Sequence, residues 1–93
     1  MEKFTLYIGA DNVTGKLDIA AIAAFLSETF KGFTIAKTIG YWQGHQEPAC
    51  MVIIWSDEKF SFVEALTKRL AKDLKQDCIG IEHKGAIHWT LSA

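Results

Sequence analysis

Cysteine is scarce in this 93-residue chain: Cys50 and Cys78 are the only two. They stand too far apart for a CxxC motif and are too few for a disulfide framework, so their default role is that of buried thiols. One proline and seven glycines, beside 49% hydrophobic and 23% charged residues, make this the composition of a globular chain and exclude a disordered tail. An excess of either charge is missing too, since 10 Lys plus Arg offset 11 Asp plus Glu to a net -1. That balance gives no electrostatic reason to bind nucleic acid or an anionic membrane. No apolar run approaches the roughly 20 residues that span a bilayer. Met1-Glu2-Lys3-Phe4 leads into alternation, where a signal peptide would need a continuous apolar stretch, so the expected compartment is the cytoplasm. The length accommodates one core, and a single domain over residues 1–93 is expected.

Periodicity then divides the chain. Phe4, Leu6 and Ile8 alternate with Thr5 and Tyr7, which predicts a strand ending at Gly9. Turn formers follow at Asp11, Asn12, Thr14 and Gly15. Ile19, Ile22, Ala23, Leu26 and Phe30 recur at helical spacing, with Asp18 as N-cap and Gly32 as the stop, predicting a helix over 18–31. Residues 33–42 alternate again. A polar tip over 43–48 precedes Ala49-Cys50-Met51-Val52-Ile53-Ile54-Trp55, apolar on both alternate sets, as a central strand requires. A second helix carries Val63, Leu66, Leu70 and Leu74 as its buried stripe and Lys68, Arg69, Lys72 and Lys75 toward water. Ser56 or Asp57 could cap it, or Ser61 with Glu64 could form a capping box. A hairpin over 78–83 and 86–91, turning at Lys84-Gly85, is expected to follow, with His83 and His88 flanking the turn and facing each other across the ladder.

The order is β-α-β-β-α-β plus one strand: the α+β, ferredoxin-like split βαβ arrangement. Right-handed crossovers put both helices on one face of a four-stranded antiparallel sheet whose first and third strands are central. The extra C-terminal strand extends it. Separation of the third and fourth strands argues against a Cys50–Cys78 disulfide. The other sheet face is bare, yet the third strand supplies apolar side chains to both. Burying each large one is favourable by about 1.5 to 3 kcal/mol, which points to a homo-oligomer that stacks sheet faces.

Chemistry concentrates between the second and third strands, in Gly40-Tyr41-Trp42-Gln43-Gly44-His45-Gln46-Glu47-Pro48. Two aromatics, an imidazole, amides and a carboxylate are expected to converge there, beside a glycine that admits a ligand to the backbone. Each residue also has a plainer reading. Tyr41 and Trp42 suit a subunit interface, Glu47 and His45 a solvated loop. Asp11 and Asn12 could reach a ligand at a neighbouring edge. Two imidazoles without a third ligand make no zinc site, so neither metal nor cofactor is expected. No GxGxxG, P-loop or Ser-His-Asp arrangement occurs, and no Cys is activated by a neighbouring His.

Tyr41-Trp42-Gln43-Gly44 followed by Glu47 and an apolar strand resembles the hairpin of PII and CutA proteins, ferredoxin-like trimers with ligands between subunits. Gly40-Tyr41-Trp42, Glu47 before a strand and Lys75-Gln76-Asp77-Cys78-Ile79 after a helix resemble the small phage S-adenosylmethionine lyases. That resemblance implies a PII/CutA-like trimer, host cytoplasm if phage-encoded, and cleavage of S-adenosylmethionine to methylthioadenosine and homoserine lactone. It implies Glu47 and Tyr41 as catalytic residues and Trp42, His45, Gln46 and Gln76 as substrate contacts. The alternatives are a PII-like sensor that binds an adenine nucleotide without turnover, and an interaction module with an aromatic hot spot.

Overall fold

The computed structural model describes residues 1–91, two short of the expected domain span. Its elements are β1 (Glu2–Ile8), α1 (Ile19–Ser27), β2 (Thr34–Trp42), β3 (His45–Ser56), α2 (Phe60–Asp73), β4 (Cys78–His83) and β5 (Ala86–Leu91). The strands form one antiparallel sheet in the order β2-β3-β1-β4-β5. That is the expected ferredoxin-like order, with the additional strand outside β4.

Alternation decides what each face carries. Phe4, Leu6 and Ile8 of β1, Cys50, Val52 and Ile54 of β3, and Ile79 and Ile81 of β4 are buried beneath Ile22 and Leu26 of α1 and Val63, Leu66 and Leu70 of α2. Pairing sets Thr5 opposite Ile53 and Glu82, and Trp89 opposite Gly80, so the other face collects Met51, Ile53, Trp55, Ile87, Trp89 and Leu91. Among the described residues no helix covers that face. Cys50 and Cys78 are both free, Cys50 buried and Cys78 only half-buried, with β1 between their strands. Burial also pushes the Cys50 thiol pKa up.

Several boundaries differ from the sequence pattern. α1 ends at Ser27, because Thr29 and Phe30 both donate to the Leu26 carbonyl and close the last turn; Asp18 is the N-cap and accepts from the Ala21 N–H at 2.9 Å. Neither Ser56, Asp57 nor Ser61 caps α2: its N-cap is Lys59, without a side-chain bond. Phe60 anchors the start instead, its ring 5.4 Å from His83 and 4.5 Å from His88. Those imidazoles are not cross-strand partners, since Ile81 pairs with His88 and His83 with Ala86. His83 stacks on Phe4 and bonds the Glu2 carboxylate.

The largest correction lies at the 43–48 tip. β3 begins at His45, four residues earlier than the apolar run suggests, and the loop shrinks to Gln43-Gly44. Both turn residues have positive φ, 50° and 79°, the backbone of the hairpin turn whose twist matches that of its strands. Pro48 is tolerated inside the strand. Counting from the closing Trp42–His45 pair, it sits at a non-hydrogen-bonded position opposite Ile39, and its nitrogen points away from β2. β1 pairs no further than Cys50, so no ladder bond is lost on that side.

Candidate functional site

The hairpin register separates residues that a flexible tip would have brought together. Partners share a face, so Tyr41 and Gln46 lie on one side while Trp42, His45 and Glu47 lie on the other. Tyr41 donates to Gln46 Oε1 at a long 3.5 Å. Tyr41, Trp42, His45 and Gln46 are exposed, and Glu47 is half-buried. The expected convergence therefore does not occur within one chain.

A cavity of about 710 Å³ opens instead where β1 leaves the sheet, a size typical of small-molecule sites. Gly9, Asp11, Thr14, Lys16 and Leu17 line it from the β1–α1 segment, Asp18 and Ile19 from the start of α1, and Lys37, Thr38, Pro48 and Ala49 from the β2–β3 pair. Asp73, Leu74 and Gln76 close it from the end of α2.

The wall from 9 to 18 is fastened by its own polar groups. Asp11 Oδ1 accepts from the Val13 and Thr14 N–H groups at 2.7 and 2.9 Å, and these backbone donors hold the Asp11 carboxyl below its usual pKa. Asp11 N–H closes the loop onto the Lys16 carbonyl at 2.8 Å. With the Asp11 and Asp18 carboxylates engaged in local caps, the side chains of Lys16, Lys37 and Asp73 are the cavity's remaining charges.

Gln76 is placed by the end of α2. Lys75 adopts a left-handed φ of 56°, its N–H meets the Lys72 carbonyl, and the Gln76 N–H meets the Ala71 carbonyl at 2.8 Å. These are the two bonds of a Schellman motif. They turn Gln76 back beneath the 9–10 backbone, where Nε2 donates to the Gly9 carbonyl at 2.9 Å and to the Ala10 carbonyl. Both amide protons are thereby used, so Gln76 can meet a ligand only through Oε1.

Glu47 reaches the same corner from β3. An added Cβ on Gly9 would lie 3.1 Å from Glu47 Oε1 and 3.6 Å from Gln76 Oε1. Among the described residues the Glu47 carboxylate has no hydrogen bond or ion pair. Of the sequence-derived candidates, the structure thus joins Glu47 to Gln76 and leaves Tyr41, Trp42, His45 and Gln46 along the hairpin. Asp11 lines the cavity and Asn12 does not. Gly9, Lys16, Lys37 and Thr38 carry no sequence signal beyond a glycine at the end of a strand.

The order β2-β3-β1-β4-β5 with both helices on one face defines a ferredoxin-like chain with a cleft at the end of its central strand. Two solved structures share that fold over 97% of this chain and 88% of their own. One is a phage SAM lyase in complex with S-methyl-5′-thioadenosine, 18% identical with a TM-score of 0.61; the other is a phage SAM lyase in the apo state, 21% identical with a TM-score of 0.58. No family model and no curated protein matches the chain.

Proposed function

We propose that the protein is an S-adenosylmethionine lyase, producing methylthioadenosine and homoserine lactone at sites completed between copies of the chain in a trimer. The fold shared nearly end to end with phage SAM lyases, one holding S-methyl-5′-thioadenosine, carries this reading. In the reaction, the substrate's own carboxylate oxygen bonds to its γ-carbon. The carbon–sulfur bond breaks, and its electron pair passes to sulfur as the neutral thioether leaves. Neither water nor a protein nucleophile is consumed. The enzyme's task is to fold the methionine tail into a near-attack shape, an effect worth several kcal/mol.

Charge assigns the roles. Sulfonium and carboxylate neutralise each other along the reaction, so a protein carboxylate held against sulfur would stabilise the ground state more than the transition state. Glu47 therefore holds the α-ammonium, whose charge does not change. Tyr41 and Trp42 do not line their own cleft. In the trimer each supplies a π surface to a neighbouring copy's adenine or sulfonium from its own face of the hairpin, a contact of about 0.5 to 2 kcal/mol, Tyr41 with Gln46 beside it and Trp42 with His45.

Incubation with S-adenosylmethionine and chromatography of the products tests the reading. Methylthioadenosine and homoserine lactone should appear in equal amounts, and Glu47→Gln should keep the oligomer while losing most of the turnover. Saturable binding of an adenine nucleotide with no product would favour the sensor instead.

A further inference from the structure

We propose that Gly9, Gln76 and Glu47 form a subsite for a primary ammonium group, in which Gln76 is both an acceptor and the residue that positions the 9–10 backbone. The proposal rests on the S-adenosylmethionine reading only for the identity of the molecule that brings the ammonium.

Three observations converge. Gln76 is only 7% exposed, yet its two side-chain hydrogen bonds are both donated by Nε2, to the carbonyls of Gly9 and Ala10. Because a carbonyl can be met only by the nitrogen end of the amide, the orientation is chemically determined, and Oε1 faces the Gly9 α-carbon as an acceptor. The second is the Glu47 carboxylate, also unpartnered among the described residues, which approaches the same glycine from the neighbouring strand. The third is the glycine itself. A side chain there would stand 3.1 Å and 3.6 Å from the two oxygens, so any other residue would fill the seat between them.

Two acceptors, one of them charged, and no donor of their own define a preference for a cation that carries N–H bonds. A primary ammonium has three donors and can serve both oxygens. A sulfonium or quaternary ammonium has none. The corner therefore selects the amine end of a substrate over its sulfonium end, the discrimination that the charge argument requires.

Gly9→Ala is the sharpest variant. The φ of Gly9 is not in the left-handed region, and the one tight approach of an added Cβ is to the end of the Glu47 side chain, with Gln76 Oε1 at ordinary contact distance, so the fold can accept it while the Glu47 carboxylate is pushed aside. Two titrations test the proposal.

In the first, n-butylammonium and tetramethylammonium are added at matched ionic strength while the Gly9 backbone and Gln76 side-chain amide resonances are followed. Saturable shifts with n-butylammonium alone, lost in Gly9→Ala and in Glu47→Gln, are expected. An equal response to both ions, or to neither, overturns the subsite.

In the second, Gly9→Ala should weaken S-adenosylmethionine binding by at least about tenfold. Methylthioadenosine, which lacks the ammonium, should change by less than about twofold. Equal losses overturn the subsite and leave the substrate intact. Wild-type protein that responds to n-butylammonium but binds neither nucleoside retains the subsite and removes S-adenosylmethionine.

Discussion

A single methyl group at Gly80 would meet the Trp89 ring directly. Trp89 is the cross-strand partner of Gly80, and a Cβ at that glycine would fall 3.0 Å from ring atom Cζ3. The indole lies over the bare backbone, a pairing that a side chain at residue 80 would crowd. Gly80→Ala should cost about 1–3 kcal/mol as overpacking, read by thermal unfolding with a shift in tryptophan emission; Trp89→Leu in the same background should recover part of the loss. Glu2 has a different kind of sensitivity. Its hydrogen bond with His83 is the main reason its carboxyl is held below the ordinary value, with the Lys84 charge adding and desolvation opposing. A folded-state pKa below the unfolded one gives stability that is present above the unfolded value and lost as pH falls through the folded one. Wild type should therefore lose more stability than Glu2→Gln between about pH 5 and pH 3, followed by urea midpoints. Identical acid limbs would show that the contact contributes nothing.

Element ends are where the chain departs from its own local signals, and the candidate site sits on one of them. The Schellman motif that aims Gln76 has Lys75 at the left-handed position where glycine is usual. A left-handed residue with a Cβ costs about 1–2 kcal/mol. Lys75→Gly should thus stabilise the protein by about 1 kcal/mol and leave the Gln76 bonds in place, measured by denaturant unfolding. The same substitution of residue type hid the motif from the sequence, which shows no helix-stop glycine before Gln76. The hairpin was obscured in a similar way, because Gln43 replaces the usual Asn and Pro48 reads as a breaker; only the register reveals that Pro48 meets no ladder bond. Strand alternation and the Val63, Leu66 and Leu70 stripe were legible because burial enforces them. Gln76 and Glu47 were legible as residue types, but Gly9 as their meeting point was not. Their convergence depends on β1 ending between β3 and β4, a consequence of topology that periodicity along one chain does not carry.

For the molecule as a whole, the uncovered sheet face sets the strongest requirement. All three tryptophans are exposed: Trp42 by 70%, Trp55 by 59% and Trp89 by 66%, with Leu91 at 64%. Register places them on the side away from the helices. The accessible surface of 6011 Å² exceeds the roughly 5,400 Å² typical of a monomer of this mass. In the middle of that face Tyr7 donates to the Glu82 carboxylate at 2.6 Å, a bond that raises the Tyr7 pKa and satisfies two polar groups that stacking against another copy would dry. Such a patch suits association, and in the proposed trimer it would carry each hairpin to a neighbour's cleft. Trp55→Glu tests this without disturbing the core, since an exposed residue contributes within about 0.5 kcal/mol to the monomer's own stability. Sedimentation at micromolar concentration should show an oligomer for wild type and a monomer for Trp55→Glu. The variant should lose lyase turnover, because Tyr41 and Trp42 no longer reach a partner, yet keep the n-butylammonium response, whose groups all belong to one chain. A monomeric wild type, or a monomeric variant with full turnover, would show that the cleft works alone and that the exposed tryptophans serve another purpose.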